Sequence, residues 1–100
     1  MKRLAVAAAA IALLGTTGCG NFFYAIYSTG ATSKLETAQA LGAEKYAPYH
    51  FYYAQEHLWK AAEEAATADY GDAIDYADEA EKAADEAIKL SKAAHESSSK

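Results

Sequence analysis

Residues 69–95 read DYGDAIDYADEAEKAADEAIKLSKAAH. Ala73, Ala77, Ala80, Ala84, Ala87, Ser91 and Ala94 recur at alternating steps of four and three, the spacing of one face of an amphipathic helix. Ile74, Ile88 and Leu90 flank this stripe, while Asp75, Asp78, Glu79, Lys82, Asp85 and Lys89 take the opposite side. Asp78–Lys82 and Asp85–Lys89 are acid-first pairs four residues apart, each worth about 0.2–0.5 kcal/mol. Asp69, with Asp72 three residues on, is placed to cap the first turn. The stretch therefore predicts a long helix over about 70–95.

The same spacing lies just upstream. Ala47, Phe51, Ala54, Leu58, Ala61, Ala65 and Ala68 again step by four and three and predict a helix over about 48–67. Pro48, the only proline, suits a first helical turn because its missing N–H needs no partner there. The residue before a proline avoids helical geometry, which places a break at Ala47. A third helix is expected over about 33–45, with Ser33 and Glu36 in a capping-box pattern and Leu35, Ala38, Leu41 and Gly42 on one face. An extension back through Phe22–Tyr27 is left open, because Gly30 weakens the middle. Residues 96–100 read as a frayed tail. β-Branched residues are few and do not alternate, so strands are not expected. The predicted fold class is all-α: an antiparallel helical hairpin with a third, N-terminal helix, its small side chains allowing close axial approach in a coiled-coil or tetratricopeptide-like manner.

Composition limits what such a bundle can do. Alanine supplies 26 of the 100 residues. From residue 19 onward the large aliphatics are seven: Ile26, Leu35, Leu41, Leu58, Ile74, Ile88 and Leu90. A chain this short buries only about 60% of its unfolded surface, so a closed pocket around a sizeable substrate is not expected. The net charge of −5 argues against a nucleic-acid partner.

The N-terminus points to a location. Lys2 and Arg3 precede eleven uninterrupted apolar residues, Leu4 to Leu14. Eleven fall short of the roughly 20 that span a bilayer and match the apolar region of a secretory signal. Gly15-Thr16-Thr17-Gly18 leads into Cys19, the only cysteine. The arrangement resembles a bacterial lipoprotein signal, with Thr16 at the position where the usual box has leucine. That resemblance implies removal of residues 1–18 and acylation of Cys19, leaving 19–32 as an anchored linker before the helical domain at 33–95. The other reading of Cys19 is an ordinary thiol without a disulfide partner. Gly20 stands where an inner-membrane retention signal places Asp, so the resemblance implies the outer membrane, facing the periplasm. Loss of Lys2 and Arg3 leaves 7 basic against 14 acidic residues, net −7, which anionic headgroups repel. The lipid, not charge, would hold the chain at the membrane.

The sequence holds few groups placed for chemistry. His50 and His57 lie seven residues apart, about 10 Å along a helix axis, too far for one metal ion. His95 falls in the fraying end, and no histidine has a metal-ligand residue four positions on. Glu63-Glu64 and Asp85-Glu86 point in different directions around their helices. No phosphate-binding loop, CxxC pair or nucleophile–base signature is present. No enzyme activity, metal or cofactor is expected.

Two aromatic clusters stand out. Of the 12 aromatics, six fall between 46 and 59: Tyr46, Tyr49, Phe51, Tyr52, Tyr53 and Trp59. Consecutive helical residues cannot all face one core. One reading makes them covers of the hairpin edge. The other makes Tyr49, Tyr52, Tyr53 and Trp59 a partner-binding face, since tyrosine and tryptophan anchor interfaces. Phe22-Phe23-Tyr24-Ala25-Ile26-Tyr27, beside the anchor, suits the headgroup level of a bilayer.

The run Gly42-Ala43-x-x-Tyr46-Ala47-Pro48, then Tyr52, Ala54, Leu58 and Ala61/Ala62, then a turn and Ala73, Ala77, Ala80, Ala84 and Ala87, resembles a family of short alanine-rich bacterial lipoproteins, a domain of unknown function sometimes found before OmpA-like domains. Asp69 to Ala77 more weakly resembles the start of the second helix of a tetratricopeptide unit. The lipoprotein resemblance implies an envelope module without catalysis. Three roles fit: an adapter or structural protein with an envelope-protein partner or a second copy of itself, a peptidoglycan tether through Lys100, and a ligand-binding accessory.

Overall fold

The computed structural model describes residues 2–99, with side chains from residue 20 onward. Four helices follow in order: α1 (Lys2–Ala40), α2 (Ala43–Tyr46), α3 (Pro48–Ala66) and α4 (Tyr70–Ser98). The fold is all-α, and among the described residues there is no strand. Partners pair in descending order along α3 and α4: Phe51 with Ala87, Ala54 with Ala83 and Ala84, His57 with Tyr76. These two helices are antiparallel. Partners rise together along α1 and α4: Tyr24 with Tyr70, Lys34 with Glu81 and Asp85, Ala38 with Ala87. The long helices thus run up, down and up, and α4 lies parallel to α1.

The alanine stripe is the core. Ala73, Ala77, Ala80, Ala84, Ala87 and Ser91 on α4 are buried, joined by Ala83. On α3, Ala47 at its N-cap, Phe51, Ala54 and Ala61 are buried, and Leu58 is half-buried. From α1 and α2 come Ala31, Ala38 and Ala43. Phe51 is the one large buried side chain among the described residues. It sits where all four helices meet, against Ala38, Ala43, Ala47 and Ala87, with Leu35 and Ile88 alongside. A second cluster joins Ala54 to Ala83 and Ala84, with Leu35 and Tyr53 packed against it.

The connections depart from the sequence reading at instructive places. The N-terminal helix does not begin near Ser33; α1 already includes residues 20–32, the stretch read as a linker. Gly30, expected to weaken it, and Gly20 both lie against α4. A Cβ on Gly20 would stand 2.9 Å from the Tyr70 ring, and one on Gly30 3.3 Å from the Glu81 carboxylate. Packing on α4 outweighs the roughly 1 kcal/mol helix penalty of each glycine. Nor does this helix reach 45. Gly42 takes φ 82°, a left-handed geometry open to glycine, so α1 stops at Ala40 and α2 is a separate turn. The α3 stripe stops at Ala65. Ala68 takes φ 61° in the α3–α4 turn and is exposed, while Asp69 N–H returns to Glu64 O at 2.9 Å and Ala68 N–H to Ala65 O at 3.0 Å. This is the doubled bond pattern that closes helix C-termini. Asp69 caps α4 by accepting from Asp72 N–H at 3.3 Å. The tail read as frayed stays helical through Ser98. Lys100 lies outside the described residues.

Ser91 is the exception within the stripe: fully buried, its hydroxyl has no hydrogen-bond partner. Such a group costs about 1–3 kcal/mol. Ser91→Ala is therefore expected to raise the unfolding free energy by about 1 kcal/mol. Ala80→Leu, in the same stripe, is expected to lower it by about 1–3 kcal/mol through overpacking. Urea denaturation of the two variants checks both signs. A rise in stability for Ala80→Leu would mean the stripe faces a loose seam.

Candidate binding face

With the inner side of α3 committed to Ala47, Phe51, Ala54, Leu58 and Ala61, residues 49, 52, 56 and 59 fall on another side at steps of three, four and three. Tyr49 is 71% exposed, Tyr52 47% and Trp59 62%. Tyr49, Tyr52, Tyr53 and Glu56 border, with Pro48, a shallow depression of about 300 Å³. A second depression of about 340 Å³ lies on the other side of Tyr49 and Tyr53, against Glu79, Lys82 and Glu86 of α4. The Tyr49 and Tyr53 rings, 6.0 Å apart, form the ridge between them. Trp59 is exposed but borders neither depression; it stands about 10 Å further along the axis from Tyr52.

Tyr53 differs from the other three. It is half-buried and turned toward α4, packing on the Ala54, Ala83 and Ala84 cluster. Its ring stacks on His57 at 3.8 Å with a 16° tilt, and its hydroxyl donates to Glu79 Oε2 at 3.1 Å. His57 Nδ1 lies 2.9 Å from the Tyr53 carbonyl and Nε2 3.4 Å from the same Glu79 oxygen. Tyr53, His57 and Glu79 thus form a polar clasp across the α3–α4 seam. The hydrogen bond to Glu79 holds the Tyr53 phenol above its ordinary value, and partial burial and the Glu79 charge act in the same direction.

Two further contacts fix register. Lys34 Nζ reaches Glu81 at 2.8 Å and Asp85 at 2.9 Å, joining α1 to α4. Those hydrogen bonds raise the Lys34 ammonium above its ordinary value, the one to Glu81 first. Asp78–Lys82 forms as expected at 3.0 Å, whereas Asp85, expected to pair with Lys89, is taken by Lys34. His95 Nε2 donates to Leu41 O at 2.7 Å. It caps one of the carbonyls left open at the end of α1 and stacks edge-on against Tyr46 at 5.0 Å. A residue read from sequence as part of a frayed end is therefore a clamp between α4 and the α1–α2 corner.

Carboxylate oxygens of Glu64, Asp69 and Asp72 gather within 4.8 Å of one another at the α3–α4 turn. The neighbouring Asp69 charge raises the Asp72 carboxyl above its usual range. Asp69 is already engaged as the helix cap, and acidic groups at a surface commonly gather in this way without an ion. The side chains of Cys19, the residue proposed for lipidation, and of the leader at 1–18 lie outside what the structure describes. Among the described residues no helix is long and apolar enough to cross a membrane. No protein-family model, curated protein or solved structure matches the chain.

The Tyr53–Glu79 clasp has a pH signature. A raised phenol value means the interaction is whole below the ordinary value of about 10 and is lost as pH rises through Tyr53's own higher value. Followed by NMR, the Tyr53 ring is expected to titrate at higher pH in the native chain than in Glu79→Gln. Equal titration in the two would mean the hydroxyl does not engage Glu79 in solution.

Proposed function

We propose that the chain is a lipid-anchored helical adapter of the cell envelope, held through Cys19 at the outer membrane and facing the periplasm, with no catalytic role. The observation that carries this reading is the exposure of Tyr49, Tyr52 and Trp59 on a helix whose inner face is already filled. Aromatic side chains bury 150–250 Å² each and dominate interface energetics. Leaving three of them in water on one side of a nineteen-residue helix is a cost that a partner would offset. The shallow depressions beside Tyr49 and Tyr53 suit the side chains of an envelope protein better than an enclosed small molecule. The anchor rests on the lipoprotein-like order of Lys2-Arg3, Leu4 to Leu14 and Cys19.

Tyr52→Ala and Trp59→Ala, made singly, test the face. Each is expected to change stability by less than about 1 kcal/mol, as surface substitutions do. Each is also expected to abolish crosslinking of the native lipoprotein to its envelope partner in cells. If either variant instead unfolds with the roughly 3–5 kcal/mol loss of a core aromatic truncation, the aromatics are structural and the adapter reading fails.

A further inference from the structure

From Leu4 to Ser33 the chain carries no charged side chain, whereas all 14 acidic residues fall between Glu36 and Glu96. Within that uncharged stretch the described part of α1 presents two sides. Gly20 and Tyr24 turn to α4, the Tyr24 ring 6.5 Å from that of Tyr70. On the other side Phe22 is 62% exposed, and Phe23 and Ile26 are each 53% exposed. The Phe22 and Phe23 rings meet edge to face at 5.8 Å. Phe22, Ala25, Ile26 and Thr29, spaced three, one and three, border a shallow depression of about 370 Å³. The same turns of helix pack on Tyr70 through their opposite side.

We infer that Phe22, Phe23 and Ile26 seat the α3–α4 end of the bundle on the surface of a lipid bilayer. The inference rests on the membrane anchor proposed above and adds a contact surface and an orientation to it. Phe22 stands three residues from Cys19, about 4.5 Å along a helix. With the leader retained, the apolar run Leu4 to Leu14 precedes it instead. Either way the patch adjoins the point of attachment. It is apolar, aromatic and free of charge, the chemistry of side chains that settle at the headgroup boundary. The acidic remainder of the chain is repelled by anionic headgroups and provides no competing membrane surface. A second copy is the weaker occupant: three half-exposed side chains offer about 300 Å², against the roughly 800 Å² per partner of a stable interface. Because Gly20 meets Tyr70 beside the α3–α4 turn, that end lies toward the lipid. Tyr49 is then held about 25 Å away along α3, turned to the periplasm.

The test uses the full chain reconstituted into phosphatidylcholine vesicles. Phe22→Trp in a Trp59→Phe background carries a single indole within the patch. Its emission is expected to shift to the blue and to fall more than twofold when the lipid is brominated near the headgroup end of its acyl chains. The indole of Tyr49→Trp in the same background is expected to be unaffected by the bromine. A chain that floats with vesicles while the patch indole stays unquenched and water-exposed overturns the seating and leaves the anchor standing. A blue-shifted but unquenched indole also overturns it, showing protein rather than lipid over the patch. A chain that does not float, with Cys19 unmodified by mass spectrometry, overturns the anchor and the seating together.

Discussion

Close approach of two neighbours along the alanine face of α4 is the constraint on which the rest of the structure depends. A helix that meets only one partner needs a narrow apolar seam. Here α4 meets α1 on one side and α3 on the other, and its buried set includes both Ala83 and Ala84. Each alanine buries little area, so the free energy comes from many short contacts rather than a few large ones. Dense packing of this kind tolerates neither an added side chain nor a displaced helix axis.

An alanine core cannot absorb the chain's aromatics, and their placement follows. Phe51 fills the one junction where four helices leave room. Tyr53 goes to the seam, its ring covering alanines and its hydroxyl held by Glu79. Tyr24, Tyr70 and Tyr76 are half-buried along the seams, while Tyr49, Tyr52 and Trp59 form an exposed group on α3 and Phe22 and Phe23 another on the far side of α1 from α4. Methyl-to-methyl packing specifies register weakly, since one alanine replaces another at little cost. The polar clasps supply what the core lacks: Lys34 to Glu81 and Asp85, Tyr53 and His57 to Glu79, and His95 to Leu41 O. The exposed ion pairs contribute little energy each, but together they mark a single alignment of α1 and α3 on α4.

Most of the helical framework was legible in the sequence, because a four–three repeat of small residues has one simple reading. The α4 stripe from Ala73 to Ser91, the proline-led start of α3 and the Asp69 cap all follow from spacing and local chemistry. What was not legible depends on partners distant in the chain. Gly30 looks like a weak point until the Glu81 carboxylate is seen beside it. Gly42 fits a helical stripe as well as it fits a helix end; only its left-handed geometry distinguishes the two. His95 has no local signature, since its acceptor lies 54 residues earlier. Of the four residues singled out for a binding face, sequence spacing grouped all of them. The fold leaves Tyr49, Tyr52 and Trp59 outward and turns Tyr53 toward α4, because Glu79 lies opposite only when α3 and α4 are antiparallel.

The central claim is that α4 is covered by both α1 and α3, and native-state amide hydrogen exchange resolved by residue measures this directly. The slowest exchange is expected in α4 between Ala77 and Ala87, with α1 from Ala31 to Ala38 and α3 from Phe51 to Ala61 protected to a comparable degree, since all three open together. If α1 exchanged at the rate of an isolated helix while α3 and α4 stayed protected, the alanine stripe would serve a two-helix hairpin only. The three-helix packing described here would then be contradicted.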